Sequence, residues 1–211
     1  GLINRGYGRA FFWDGRARTL EEQVLKPIED RNELDSPVAD AAARVGLSPD
    51  DLSRALASYV RSILSGNSRF DRFVNGERTA LSPDEVAGLQ IFRGKGNCTA
   101  CHVGPNFSDE RLHNTGVAWR EGRFVDVGAG RGDFKTPTLR EVARTGPYMH
   151  DGSLATLEEV IELYERGGNA NPSIDPEIRP LTLTGAEKTQ LLAFLRSLSG
   201  TVQEGGHVAP R

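Results

Sequence analysis

Both cysteines of this 211-residue chain fall within the five positions Cys98-Thr-Ala-Cys101-His102, together with one of its four histidines. Two thiols three residues apart can each add to one vinyl group of a haem, and a histidine next to the second then sits under the ring as an axial iron ligand. Two other chemistries use the same residue types. A redox-active disulfide wants the pair at a strand-to-helix turn in a βαβ unit, whereas this neighbourhood reads as helix followed by loop. A structural zinc site needs a fourth ligand from His113, His150 or His207, with no second close pair to supply the usual spacing. The spacing favours covalent haem c. That attachment belongs to an oxidising compartment, in a bacterium the periplasm, with any export signal already cleaved.

The second axial position has several candidates. Met149 lies in the loop Arg144-Thr-Gly-Pro-Tyr-Met-His-Asp-Gly152, from which a ligand could reach the iron. Tyr164 falls on the inward stripe of a predicted helix, and periodicity alone reads it as core packing with its phenol tied to a carbonyl. His150 and Asp151 read as partners of a haem propionate or as a simple turn. His113 and His207 read as solvated loop residues.

The elements that must position these groups announce themselves through helix caps. Ser or Thr followed three residues later by an acid occurs at Thr19–Glu22, Ser48–Asp51, Ser82–Glu85, Thr156–Glu159 and Thr184–Glu187. After Ser48, the apolar residues Leu52, Ala55, Leu56, Tyr59, Val60, Ile63 and Leu64 follow helical spacing. Leu191, Phe194, Leu195 and Leu198 form one face of the last helix, and Leu157, Val160, Ile161 and Tyr164 one face of the helix before it. No comparable two-residue alternation is present, so the sequence predicts an all-α fold with short strands only. Residues 103–147 are glycine-rich and aperiodic, the kind of long loop that lines a site. A boundary is expected within residues 66–82, dividing the chain into 1–76 and 77–211.

Composition narrows the function further. With 37% hydrophobic and 26% charged residues and a net charge of −3, the chain is an ordinary globule, too little basic to track nucleic acid. No apolar run approaches the length of a membrane span, and the first residues lack a signal-peptide layout.

The motif Cys98-x-x-Cys101-His102-x-Gly104-Pro105, then Phe134-Lys-Thr-Pro-Thr-Leu-Arg140, Thr145-Gly-Pro-Tyr-Met-His-Asp-Gly152 and Thr156-Leu-Glu-Glu-Val resembles the C-terminal haem domain of bacterial di-haem cytochrome c peroxidases and of the related enzyme MauG. Upstream, Phe11-Phe-Trp-Asp-Gly-Arg-Ala17 with Leu20-Glu-Glu-Gln23 and Pro27 resembles the segment that closes their peroxide-binding haem domain. The resemblance implies a cytochrome c-like domain preceded by a helical remnant of that first domain. It implies Cys98 and Cys101 as thioether donors, His102 as proximal ligand and Tyr164 as second ligand, where the peroxidases place methionine and MauG a tyrosine; Met149 matches no family ligand. Trp13, otherwise a core aromatic, becomes a bridge between two haems. Thr145 and Pro147 become carbonyl ligands of a calcium ion. Glu33, otherwise a solvated loop charge, becomes the distal acid of the peroxidatic haem, with Pro27 shaping that pocket.

Implied with these is reduction of hydrogen peroxide by electrons from a small cytochrome c or cupredoxin, or MauG-like oxidation of a protein side chain; homodimers are common in such families. Only one CxxCH is present, so a single haem is expected here and the chain reads as the C-terminal portion of a di-haem enzyme. A mono-haem electron-transfer module is the non-peroxidatic alternative.

Overall fold

The computed structural model describes residues 1–205. Among them run eight α-helices: α1 (Leu20–Gln23), α2 (Lys26–Glu29), α3 (Val38–Arg44), α4 (Pro49–Ser62), α5 (Arg69–Val74), α6 (Pro83–Arg93), α7 (Leu157–Glu165) and α8 (Gly185–Arg196). Strands are two or three residues long. Leu112–His113 pairs antiparallel with Phe134–Lys135, and Trp119–Arg120 with Arg123–Phe124. The helical skeleton is the expected one. All five anticipated caps are made, each Ser or Thr oxygen accepting the N–H three residues on.

Two compact units divide the chain, one built from Ser65–Thr201 and one from Leu2–Leu64 with the residues from Val202. The larger unit thus begins at Ser65 instead of near residue 77. The reason is α5, which lies within the expected boundary segment. Ser68 and Asp71 close a reciprocal capping box around its first turn, and Phe70 and Phe73 pack on the larger unit's core. Arg140 donates to Asp71 and to Ser68 Oγ, so a buried cation completes the cap. Burial alone would raise the Asp71 carboxyl; Arg140 and Ser68 override it and hold the pKa below the usual range.

The larger core joins Leu89 and Phe92 of α6, Leu157 and Ile161 of α7, and Leu191, Phe194 and Leu195 of α8. Phe70, Phe92, Phe107 and Phe194 meet edge to face or tilted, with centroids 5.1–6.3 Å apart. The two long helices α6 and α8 cross at Gly88, where an added Cβ would fall onto the Gln190 carbonyl. Because the obstacle is the backbone of the facing helix, Gly88→Ala is expected to cost about 1–3 kcal/mol of stability, read as a lowered urea midpoint at unchanged m.

In the smaller unit α4 lies on α1. The Ser53 hydroxyl donates to the Glu21 carbonyl at 2.7 Å, and Ala57 and Val60 are buried against Phe11, Ala17 and Leu20. This face is rotated from the predicted stripe: Ala55 and Tyr59 are exposed and Ser53 is inside. Small residues at 53 and 57 let the helices approach, and that contact outweighs the apolar count on the neighbouring face.

Candidate haem site

Helix α6 ends at Gly94, and the chain turns back over its last carbonyls, Gly96 N–H donating to Ile91 at 2.7 Å. A Cβ at Gly96 would stand 2.9 Å from the Ile91 oxygen and 3.2 Å from Cys98 Sγ, so only glycine passes here without displacing the cysteine. Asn97 takes a left-handed conformation, a single 3-10 turn follows at Cys98–Ala100, and the His102 N–H closes onto the Cys98 carbonyl at 2.9 Å. Both cysteines are free thiols and half-buried. Burial pushes the Cys98 thiol up to about 12, so it carries its proton, the form that adds across a vinyl group.

His102 Nδ1 donates to the Phe107 carbonyl at 2.7 Å. That bond fixes the tautomer and leaves the Nε2 lone pair for a metal. Burial pushes the imidazole pKa down, which favours the same neutral form. The loop carrying Phe107 is held from the second motif: Ser108 Oγ donates to Thr136 O at 2.7 Å, Thr138 Oγ1 to Asn106 O at 2.7 Å and Arg140 Nε to Pro105 O at 2.8 Å. The string Phe134–Arg140 is therefore the brace of the histidine's acceptor. A cavity of about 230 Å³ opens beside His102 and Thr99, walled by Phe70, Leu89, Phe92 and Phe107.

Tyr164 lies in the last turn of α7. Burial, and then the nearness of both cysteine sulfurs, pushes its phenol above the ordinary tyrosine range. The side chain is half-buried, and among the described residues the phenol is not seen tied to a carbonyl. The fold thus brings Cys98, Cys101, His102 and Tyr164 to one place. The donor set suits haem iron: one imidazole nitrogen held in the ligating tautomer and one phenol close to both cysteine sulfurs.

The other candidates are placed elsewhere. Met149 is half-buried with φ of 70° in the turn leading to Gly152. His150 stacks on Phe134 at 3.6 Å between centroids, with Nε2 3.7 Å from Asp126, and burial lowers its pKa. Asp151 pairs with Arg120. Thr145 and Pro147 are exposed. His113 is not the solvated loop residue expected: it is clamped between Asp109 and Asp175, both ring nitrogens engaged, which also removes it as a zinc ligand. Among the described residues no cluster of three or more His, Cys, Asp or Glu could hold a metal ion. His207 lies outside the described residues.

In the smaller unit Trp13 is 40% exposed in the turn between the bridged Phe11 and Ala17, so it is no core aromatic. Pro27 and Glu33 share a compact turn: the Leu34 N–H donates to Pro27 O at 3.2 Å and Glu33 N–H to Asp30 O at 3.0 Å. The Glu33 side chain is exposed. Sequence reasoning missed Phe107, Thr138 and Arg140, whose roles run through backbone carbonyls, and missed Asp109 and Asp175, which only the folded loops bring to His113.

Comparison with known proteins points the same way. The family profile described as di-haem cytochrome c peroxidase matches residues 1–50. The methylamine utilization protein MauG of Methylorubrum extorquens is 34% identical over 93% of this chain and 63% of its own length. Cytochrome-c peroxidase IdrP2 of Denitromonas iodatirespirans is 33% identical over 94% of this chain and 67% of its own. A solved MauG-like protein associated with microbial copper homeostasis superposes with a TM-score of 0.83 at 30% identity, covering 95% of this chain and 72% of that one. The chain spans roughly two thirds of the length of these curated relatives.

Proposed function

Because the chain belongs to the di-haem cytochrome c peroxidase and MauG family, we propose that it carries the electron-transfer haem of such an enzyme, on Cys98 and Cys101, with His102 and Tyr164 as axial ligands. The observation that carries this reading is the pair of ligand-type side chains at the cysteines: His102 with Nδ1 committed to Phe107, and Tyr164 with its phenol beside both cysteine sulfurs. A haem held there supplies a one-electron couple. The chain supplies everything else. Phe107 keeps the His102 tautomer, the Phe134–Arg140 brace keeps Phe107, and the phenylalanine cluster excludes water from the proximal side.

The whole enzyme then reduces hydrogen peroxide, two electrons and two protons giving two waters. A small cytochrome c or cupredoxin in the periplasm donates the electrons. The smaller unit is the end of the peroxidatic haem domain. There Trp13 relays electrons, Pro27 shapes the pocket, and Glu33 moves a proton from the inner to the outer peroxide oxygen so that water leaves as the O–O bond breaks. Thr145 and Pro147 offer carbonyls to a calcium ion. A homodimer is the assembly that goes with this reading.

Tyr164 favours one second reading, a MauG-like oxidase that directs its oxidising equivalents at a protein side chain. The test is intact mass with a haemochrome spectrum on this chain and on the full gene product, both made with haem-ligation machinery. One covalent haem here and two in the full product are expected, with cytochrome-dependent peroxide turnover lost in Glu33→Gln. No Soret band sinks the haem reading. A full product with one haem leaves an electron carrier. Two haems without cytochrome-linked turnover move the assignment to the oxidase.

A further inference from the structure

Asp109, His113 and Asp175 form a cluster beside the attachment turn that no role above uses. His113 Nδ1 is 2.6 Å from Asp175 Oδ2, and Nε2 is 2.9 Å from Asp109 Oδ2. The three side chains are only 16%, 17% and 11% exposed for His113, Asp175 and Asp109. A neutral imidazole has one N–H and one lone pair, so one contact would set a lone pair against a carboxylate oxygen. Only the imidazolium satisfies both. The Cys101 sulfur faces the same ring, and with the two carboxylates it holds His113 up at about 10 against the opposing effect of burial.

Each arm of the cluster ties a different segment to the haem-attachment turn. The Asp109 N–H donates to the Cys101 carbonyl at 2.9 Å. The Asp175 N–H donates to Asn114 at 3.0 Å, and two residues on, the Glu177 carboxylate accepts from Asn97, the residue before Cys98, at 2.9 Å. His113 itself sits in the short ladder opposite Phe134.

We propose that His113 is a positioning residue for the haem: an imidazolium clamped by Asp109 and Asp175 against Cys101, which closes the loops around the attachment turn and fixes a positive charge at the Cys101 edge of the macrocycle. This rests on the haem reading of Cys98–His102. The charged or titratable groups facing the ring are Cys101 and, further off, His102 from the turn, Asp109 from the loop behind it and Asp175 from the 169–178 loop, with the Glu110–Lys135 pair alongside in the next ladder position. Attachment converts Cys101 to an uncharged thioether and leaves the two carboxylates to hold the proton. A fixed cation close to the iron favours the less positive, ferrous state.

The experiment compares His113→Gln and His113→Lys with the parent in the haem-loaded chain by spectroelectrochemistry. Gln keeps a hydrogen-bonding side chain without charge; Lys restores the charge. At a fixed potential, Gln is expected to lower the ferrous-to-ferric ratio about tenfold and Lys to return it to within about twofold of the parent. No shift in Gln, or equal shifts in both, overturns the proposal, because a packing role does not distinguish the two variants. Nitrogen NMR of histidine-labelled parent at pH 8 decides the clamp independently of either variant's assembly. Both ring nitrogens of His113 protonated is the expected result, and a neutral ring overturns it. A chain that takes up no haem fails the functional reading through its missing Soret band, while the NMR result still decides the clamp.

Discussion

Cys98→Ala combined with Cys101→Ala is expected to abolish covalent haem, with the Soret absorbance of the purified chain falling to background. Either single change should leave one thioether, visible as haem that survives acid–acetone extraction with one vinyl group intact in the haemochrome spectrum. The reasoning is local. The 3-10 turn at Cys98–Ala100 presents both sulfurs to the same space, and burial keeps the Cys98 thiol protonated, as addition to a vinyl requires. The effect reaches the whole unit because Cys98 packs against its main core. A thioether-linked haem stays on the chain in both states, and on folding it buries apolar surface worth about 25 cal/mol per Å². The double variant should therefore unfold at a much lower urea concentration than the loaded parent. Equal midpoints, or undiminished covalent haem, would refute the assignment.

Tyr164→Met should raise the haem reduction potential by roughly 0.2 V, a modest part of the ~0.8 V range that axial ligands command. A phenolate donates charge and stabilises ferric iron, whereas a thioether favours ferrous. Tyr164→Phe should leave the sixth position open and let cyanide or carbon monoxide bind, which the parent should resist. The structure adds a pH dependence. Burial holds the phenol above its ordinary pKa, so ligation as phenolate must release a proton that the buried surroundings favour keeping. Acid should therefore favour the unligated phenol and alkali the bound phenolate, seen as a charge-transfer band that grows with pH and is missing in both variants. A potential unchanged by Tyr164→Met would assign the iron's sixth position to another side chain.

The legible parts of this molecule were those encoded within a few residues. A cap needs only an oxygen at one position and an N–H three later, so Thr19, Ser48, Ser82, Thr156 and Thr184 all announced their helices. Ser68–Asp71 carries the same signature and forms a complete box, but without a sustained apolar stripe after it the segment does not read as a helix. The α4 face was misread for a different reason. Its apolar stripe was real, but close approach to α1 selected Ser53 and Ala57 for the inside on size and hydrogen bonding, which hydropathy does not encode.

The site divides along the same line. Sequence alone determined the proposed attachment motif, because two thiols and a histidine within five residues are constrained by one turn of chain regardless of what packs around them. It also limited the second ligand to a handful of side chains. Only tertiary structure separates their surroundings: α7 carries Tyr164 to sulfurs more than sixty positions earlier in the chain, while His150 stacks on Phe134 near Asp126. Tertiary structure likewise gave His102 its tautomer through the Phe107 carbonyl and turned His113 from a loop residue into a clamped cation. Those roles depend on distances between segments that are remote in sequence, and such distances exist only once the core has paid the entropy of bringing the segments together.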